Sequence, residues 1–253
     1  MPDASLPHAG ARIGAPPRRP RAVLFDLFHT LVQVQPSPDT GAHTWFDLGV
    51  GREDWERTLF EDRPGRAVGR TRDSVEGMRL LAHQIDPSIP LERIEHSARR
   101  RMARFNDTLL RTETRIVDAL ARLRLAGVRT ALVSNAGFDE IDAWPRSPLA
   151  PHFDATVFSC EVGVAKPDRA IYEHALRRIG VAAQDAFFVG DGGSDEHRGA
   201  RALGLRPVLV TRLADFSPAR LAERRAHVDH EFEDVVAFAD HVLAGGRAEE
   251  DAR

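Results

Sequence analysis

The segment AVLFDLFHTL, residues 22–31, carries the clearest structural signal in the chain. Its first four residues form an uninterrupted apolar run, which is typical of a strand buried on both faces of a parallel sheet. Asp26 follows directly, at the carboxyl end of the predicted strand. Because ligands of open α/β sheets bind outside the carboxyl ends of the strands, Asp26 is a candidate site residue.

Four similar apolar runs follow, and amphipathic segments lie between most of them. The predicted strands are 130–133, 155–158, 186–189 and 207–210. The predicted helices, each followed by a glycine of the kind that commonly ends a helix, are 113–126, 168–179 and 194–203. Alternating strands and helices predict an α/β fold, with a parallel sheet covered by helices on both faces.

The span 33–112 contains no convincing strand. Apolar residues recur in it three and four positions apart, as on one face of a helix. The helical windows are 51–61, 72–85 and 91–110. We therefore expect an all-helical insert after the first strand, with a core made of residues 21–32 and 113–243.

The two ends of the chain lack apolar periodicity. Residues 1–20 are rich in Pro, Gly, Ala and Arg, so we expect a disordered leader. Residues 244–253 contain the sequence GGRAEEDAR and are expected to form a flexible tail.

Composition narrows the functional class. With 42% apolar residues, 29% charged residues and a net charge of −3, the chain shows neither a membrane span nor the basic surface typical of a nucleic-acid partner. Its one cysteine, Cys160, cannot form an internal disulfide, and no secretory apolar segment is recognisable, which favours the cytoplasm. We expect a monomer or homodimer that acts on a small molecule.

Lysine usage marks one residue before any motif is considered. Of the 35 lysine and arginine residues, only Lys166 is a lysine. A sequence that uses arginine almost everywhere is expected to keep lysine where a compact ammonium differs from a planar guanidinium. Lys166 is therefore a candidate site residue.

Polar side chains gather at one edge of the predicted sheet. They are Asp26 after the first strand, Ser134 and Asn135 after the second, Asp191, Asp195 and Glu196 after the fourth, and Lys166 at the entry to a helix. Several carboxylates cannot all ionise close together without a cation, and Mg²⁺ prefers such oxygen ligands. Ser134, the Asn135 backbone amide and Lys166 would bind an anionic group. The set predicts a phosphoryl site with Mg²⁺ as cofactor.

Four of these segments, in this order and spacing, resemble the motifs of the haloacid dehalogenase-like superfamily. They are Asp26–Leu31, Ser134–Asn135, Lys166–Asp168 and Gly190–Glu196. The resemblance covers residues 21–243. It implies a Rossmann-like core with a helical cap inserted after the first strand, as in subfamily I of that superfamily.

The resemblance also implies roles for the residues. Asp26 would be the nucleophile and Thr30 would orient it, while Ser134 and Asn135 would bind phosphate. Lys166 would screen the charges of the nucleophile and the phosphate.

The metal ligands implied by the resemblance come from two segments. Asp26, the backbone carbonyl of Phe28 and Asp191 would bind Mg²⁺. Either Asp195 or Glu196 would be the second acid of the last motif, and Glu196 stands at the commoner offset. The expected activity is hydrolysis of a small phosphorylated metabolite through an aspartyl-phosphate intermediate.

Phe28 departs from the phosphatase pattern, which usually has an aspartate acting as general acid and base at this position. Metal-independent 2-haloacid dehalogenases resemble the chain at this position, but they lack the Gly-Asp sequence that the chain has at Gly190–Asp191. A dehalogenase and a non-catalytic phosphate-binding or regulatory module therefore remain alternatives. His29 is expected to be a surface or hinge residue, with a proton shuttle as the second interpretation.

Overall fold

The computed structural model describes residues 20–34, 43–61, 65, 67–214 and 216–250. Its centre is a six-stranded parallel sheet in the order β3-β2-β1-β4-β5-β6. The strands are β1 Ala22–Phe25, β2 Arg129–Ser134, β3 Ala155–Phe158, β4 Ala186–Gly190, β5 Arg206–Val210 and β6 His230–Phe232. This is the strand order of the Rossmann fold, so the predicted α/β class is confirmed.

Helices flank the sheet and fill the span between β1 and β2. They are α1 Thr44–Leu48, α2 Arg52–Glu61, α3 Ser74–Ile85, α4 Leu91–Leu110, α5 Thr114–Leu125, α6 Phe138–Ile141, α7 Ser159–Val162, α8 Arg169–Ile179, α9 Glu196–Leu203, α10 Pro218–Arg225 and α11 Val235–Glu250. Local sequence explains several ends. The Asp73 carboxylate accepts hydrogen bonds from the first turn of α3, and Gly180 ends α8 at a left-handed φ of 66°. None of the helices among the described residues has the length and apolar character needed to cross a membrane.

Two apolar clusters cover the two faces of the sheet. Val23 and Phe25 of β1 point into the cluster that includes α5 and α11, whereas Ala22 and Leu24 point into the cluster that includes α8. All four residues are fully buried. A strand covered on both faces needs an uninterrupted apolar run, which explains why β1 was readable from the sequence.

The described residues between β1 and β2 form helices α1–α5 and no strand. Leu48 and Trp55 pack with α3 in a separate apolar cluster. Helix α4 contributes to two apolar clusters. Ile94 lies in the cluster with Leu48 and Trp55, and Leu109 lies in the cluster that covers one face of the sheet. The division of the chain into a core and a cap at residue 112 stays a prediction.

The last part of the chain differs from the expectation. Strand β6 and helices α10 and α11 were not predicted, and α11 continues to Glu250, so the backbone of residues 244–250 is helical where we expected the beginning of a tail. Of the expected leader, residues 1–20, all but Pro20 lie outside the described residues, and residues 251–253 of the expected tail also lie outside them.

Candidate active site

Asp26 stands at the carboxyl end of the central strand. Its backbone N–H donates to the carbonyl of Val189 at 2.9 Å, which ties the residue to β4. The neighbouring strands β2 and β4 end beside it, with Ser134 and Gly190 as their last residues. Asp26 is buried, with only 6% of the residue exposed. Parallel pairing thus brings the predicted site residues of three strands to one place.

Lys166 joins two of the carboxylates. Its ammonium lies 2.5 Å from Oδ1 of Asp26 and 2.6 Å from Oε2 of Glu196. Burial alone lowers the pKa of this ammonium, but the charges of Asp26 and Glu196 outweigh burial, so the pKa is raised. Lys166 therefore stays protonated and places a positive charge directly against the carboxylates of Asp26 and Glu196.

Asn135 holds the backbone of Lys166 in place. The Asn135 Oδ1 accepts from the Lys166 N–H at 2.7 Å, and the Asn135 Nδ2 donates to the Lys166 carbonyl at 3.0 Å. The side chain of Asn135 is therefore engaged in positioning the lysine. Phosphate binding by its backbone amide stays a prediction.

The loop after β4 supplies two more carboxylates. One oxygen each of Asp26, Asp191 and Glu196 lie within 4.8 Å of one another. The Gly192 N–H donates to Oε1 of Glu196 at 2.7 Å, and the Gly193 N–H donates to Oδ1 of Asp191 at 2.9 Å. These three carboxylates, one after β1 and two after β4, fit a divalent cation such as Mg²⁺.

The two acids that the sequence could not separate have different positions. Glu196 is buried and belongs to the carboxylate cluster, whereas Asp195 is exposed and does not. Ser194 and Asp195 both have left-handed backbones, with φ of 56° and 51°, before α9 begins at Glu196. This turn directs the second residue of the acidic pair inward.

Gly190, which the sequence placed in the last motif, also has a packing role that only the structure shows. A Cβ atom at this position would lie 2.1 Å from Oε1 of Glu196. Any side chain here would displace the carboxylate that binds Lys166. Glycine is therefore required by the close approach of Glu196 to the end of β4.

The cluster carries an excess of negative charge. Burial, followed by the charge of Asp26, raises the pKa of Asp191. Burial also raises the pKa of Glu196 to about 8, although Lys166 acts in the opposite direction. Within the described residues, one ammonium thus faces three carboxylates. A bound cation would relieve this imbalance.

Thr30 and Ser134 complete the floor of the site. The Thr30 hydroxyl donates to Oδ2 of Asp26 at 3.1 Å. The Ser134 hydroxyl is buried and has no hydrogen-bond partner among the residues that the structure describes. Buried polar groups are nearly always paired, so an oxygen of a bound anion is a suitable partner for Ser134.

A cleft of about 270 Å³ adjoins these residues. It is lined by Phe28, His29, Val34, Ala67, Phe105, Asn135, Ala136, Glu140 and Ser194. Phe28 is half-buried, and its ring meets the ring of Phe105 edge-to-face at 5.2 Å. His29 is exposed, has a left-handed φ of 63°, and donates its backbone N–H to the Val32 carbonyl at 2.6 Å. Metal binding by the Phe28 carbonyl stays a prediction.

Phe105 and Glu140 are among the cleft residues that could not be identified from the sequence. Phe105 reaches the cleft from the inserted helix α4, and Glu140 reaches it from α6. Glu140 is buried and accepts hydrogen bonds from the Arg101 guanidinium and, at 2.7 Å, from the Gly137 N–H. Neither residue belongs to a motif, since each reaches the cleft only through tertiary packing.

Comparison with known proteins connects this arrangement to one family. A sequence model of the haloacid dehalogenase-like hydrolases matches residues 20–204. The chain is similar to the phosphoserine phosphatase of Thermus thermophilus, with 39% identity over 94 residues, which are 37% of this chain and 38% of the relative. It is also similar to the glyceraldehyde 3-phosphate phosphatase of Methanothermobacter thermautotrophicus, with 32% identity over 136 residues, which are 52% of this chain and 56% of the relative. The matches span less than two thirds of either relative.

Solved structures extend the likeness in fold to most of the chain. The HAD phosphatase from Thermococcus onnurineus has a TM-score of 0.59 and 21% identity, over 90% of this chain and 99% of that one. The L-2-haloacid dehalogenase from Xanthobacter autotrophicus, with chloropropionic acid covalently bound, has a TM-score of 0.62 and 21% identity, over 88% and 98%. At these identities the likeness concerns the fold alone.

Proposed function

The chain belongs to the haloacid dehalogenase-like hydrolase family, and on that basis we propose that it is a Mg²⁺-dependent phosphohydrolase. Its substrate would be a small phosphorylated metabolite, and Asp26 would be the nucleophile. The similarity to two phosphatases over part of their length supports this class of reaction. A haloacid dehalogenase is the second candidate.

The observation that carries the proposal is the cluster of Asp26, Asp191 and Glu196, with oxygens within 4.8 Å of one another around one ammonium. Displacement of halide from carbon needs one ionised nucleophile. A phosphoryl group carries its own negative oxygens, so its transfer needs positive charge beyond that of Lys166. The carboxylates fit this need as cation ligands.

The residues of the chain have distinct tasks in this proposal. An oxygen of Asp26 attacks phosphorus, a bond forms between them, and the bond from phosphorus to the leaving oxygen breaks. Water then attacks the same phosphorus, which releases inorganic phosphate and regenerates the Asp26 carboxylate. Thr30 orients Asp26, Ser134 binds a phosphate oxygen, and Lys166 places its positive charge beside Asp26.

Mg²⁺ would be held by carboxylate oxygens of Asp26, Asp191 and Glu196, and by the carbonyl of Phe28. When bound, it supplies positive charge to the phosphate oxygens. The helices of residues 33–112 would act as a cap that limits access of bulk water to the site.

The dehalogenase alternative rests on a specific feature. Phe28 occupies the position where phosphatases of the family usually have an acid, and its ring packs against Phe105 and adds apolar surface to a cleft that polar side chains also line. In this alternative Asp26 attacks carbon, halide leaves, and water hydrolyses the ester. The reaction needs neither Mg²⁺ nor Asp191.

The cellular setting is also part of the proposal. Cys160 is buried, and burial raises the pKa of its thiol to about 12, so it is expected to be an inert structural residue. This fits a protein with no disulfide requirement. We propose a cytoplasmic monomer or homodimer without a nucleic-acid or membrane partner.

One activity screen tests the proposal. Purified protein is assayed with phosphorylated metabolites and with 2-haloacids, each in Mg²⁺ and in EDTA. We expect phosphate release with Mg²⁺ that EDTA abolishes, and no halide release. Halide release that persists in EDTA, without phosphatase activity, would support the dehalogenase instead.

A further inference from the structure

The position two residues after Asp26 is part of an apolar wall. Phe28 meets Phe105 of α4 edge-to-face, with ring centroids 5.2 Å apart and planes at 84°. Val34 and Ala67 lie on the same cleft. Phe105 is buried, with only 7% of the residue exposed, so its ring has little freedom to move out of the cleft wall.

The wall is held from behind by a buried ion pair. The Arg101 guanidinium lies over the Phe105 ring, 4.6 Å from its centroid. Arg101 also pairs with Asp139 at 2.9 Å and with Glu140. This arrangement joins α4 to α6 and fixes the Phe105 ring against Phe28. These contacts therefore fix the apolar surface beside Asp26 before a substrate binds.

The acid that lines this cleft is poorly suited to protonate a leaving group. Glu140 accepts hydrogen bonds at one carboxylate oxygen from Arg101 and at the other from the Gly137 N–H. Both carboxylate oxygens of Glu140 therefore already act as hydrogen-bond acceptors within the protein. A leaving group in contact with Phe28 and Phe105 therefore departs without help from Glu140.

From this geometry we infer that the site selects phosphorylated substrates with an aromatic or other apolar leaving group that departs as a stabilised anion. The inference rests on the proposed phosphohydrolase function and narrows its substrate class. Phe28 and Phe105 are the specificity-determining pair. A cavity of about 150 Å³ can hold a benzene ring, so the cleft of about 270 Å³ has room for a ring beside the phosphate.

The proposed reaction needs no proton donor among the residues of the apolar wall. As the bond between Asp26 and phosphorus forms, the leaving oxygen keeps the electron pair of the broken bond. A phenolate, enolate or carboxylate stabilises that charge, whereas an alkoxide does not. Water then hydrolyses the aspartyl phosphate, and its proton passes to solvent.

The first test is a leaving-group series on the whole chain with Mg²⁺. We expect kcat/KM to rise steeply from alkyl phosphates to phenyl phosphate to p-nitrophenyl phosphate. A flat dependence would overturn the inference, because it would mean that another group, such as His29, delivers a proton. Phosphatase activity with a flat dependence leaves the proposed function standing, whereas no hydrolysis of any phosphate with Mg²⁺ contradicts that function itself.

The second test separates the ring contact from leaving-group chemistry. We expect Phe105→Ala to raise KM for p-nitrophenyl phosphate about tenfold, as for loss of part of a buried aromatic contact, and to change KM for acetyl phosphate less than about twofold. The control Phe46→Ala, at a ring that is 65% exposed on α1, should change neither value.

A more conservative variant keeps the inference testable if Phe105→Ala does not fold. Phe105→Leu keeps most of the apolar volume in the core and should raise KM for p-nitrophenyl phosphate about threefold, with acetyl phosphate again unaffected. Equal effects of the Phe105 variants on both substrates, or no effect on either, would overturn the inference.

Discussion

The Lys166 ammonium lies 2.5 Å from Oδ1 of Asp26 and at the same time 2.6 Å from Oε2 of Glu196. All three side chains are buried. The lone lysine of the chain thus lies between the candidate nucleophile and one acid of the carboxylate cluster. A planar guanidinium could not reproduce both contacts in this space, because it is larger and its donors are fixed in a fork.

Substitution Lys166→Arg is therefore expected to reduce kcat/KM by at least about 100-fold, since misplacing groups around a nucleophile by about 1 Å costs this much. The measurement is steady-state hydrolysis with Mg²⁺, with circular dichroism to check the fold. Arg169→Lys is the matched control, because Arg169 is exposed and pairs with Glu173 on the surface. Activity close to wild type in Lys166→Arg would contradict the role of Lys166.

Binding of Mg²⁺ with a phosphate mimic should raise the melting temperature by several degrees, because ligands that bind only the native state stabilise it by mass action. Asp191→Asn should abolish this shift. Asp195→Asn should retain it, since Asp195 is exposed and lies outside the carboxylate cluster. The reverse pattern in the two variants would show that the metal ligands are wrongly assigned.

Glu196 predicts a pH dependence of stability. Its pKa is raised from 4.5 to about 8 by burial, so between these values the native state holds a proton that the unfolded state has lost. Stability without Mg²⁺ should therefore fall as pH rises from about 5 to 8, relative to Glu196→Gln.

Melting curves at several pH values measure this difference between wild type and Glu196→Gln. Saturating Mg²⁺ should remove most of it, because the cation stabilises the ionised carboxylate. Parallel curves for the two proteins without Mg²⁺ would contradict the raised pKa of Glu196 in the native state.

Phe28→Asp would introduce a carboxyl group where the family's phosphatases usually have their general acid. General acid catalysis typically contributes about 10²- to 10⁴-fold, so kcat/KM for alkyl phosphates should rise at least about tenfold. Substrates with stabilised leaving groups should gain little. Phe28→Asn is the control, because it loses the same contact with Phe105 but offers no acidic proton. Equal changes in both variants would rule out restored acid catalysis.

The five strands predicted from the sequence are all present, whereas β6 was missed. Strands β1 and β4 are buried on both faces, so their sequences are uninterrupted apolar runs. His230–Phe232 contains polar residues, is half-buried and has three residues, which leaves no periodic signal. Strands with such a mixed environment depend on their neighbours rather than on their own pattern.

Some residues of the candidate site could likewise be predicted from the sequence, whereas others could not. Asp26, Ser134 and Asp191 stand at the carboxyl ends of strands that meet at one edge of the sheet, so their proximity was predictable from topology. The choice between Asp195 and Glu196 depended on two left-handed residues in the loop, which the sequence does not signal. Phe105 was not predictable either, since it reaches the cleft from an inserted helix more than 70 residues away from Phe28.

The most direct measurement is mass spectrometry of the protein acid-quenched during a single turnover of p-nitrophenyl phosphate with Mg²⁺. We expect one phosphoryl group on the peptide that contains Asp26, absent with EDTA and absent in Asp26→Asn. Turnover without this phosphorylated peptide, or a covalent ester on Asp26 formed from a 2-haloacid in EDTA, would contradict the proposed aspartyl-phosphate mechanism.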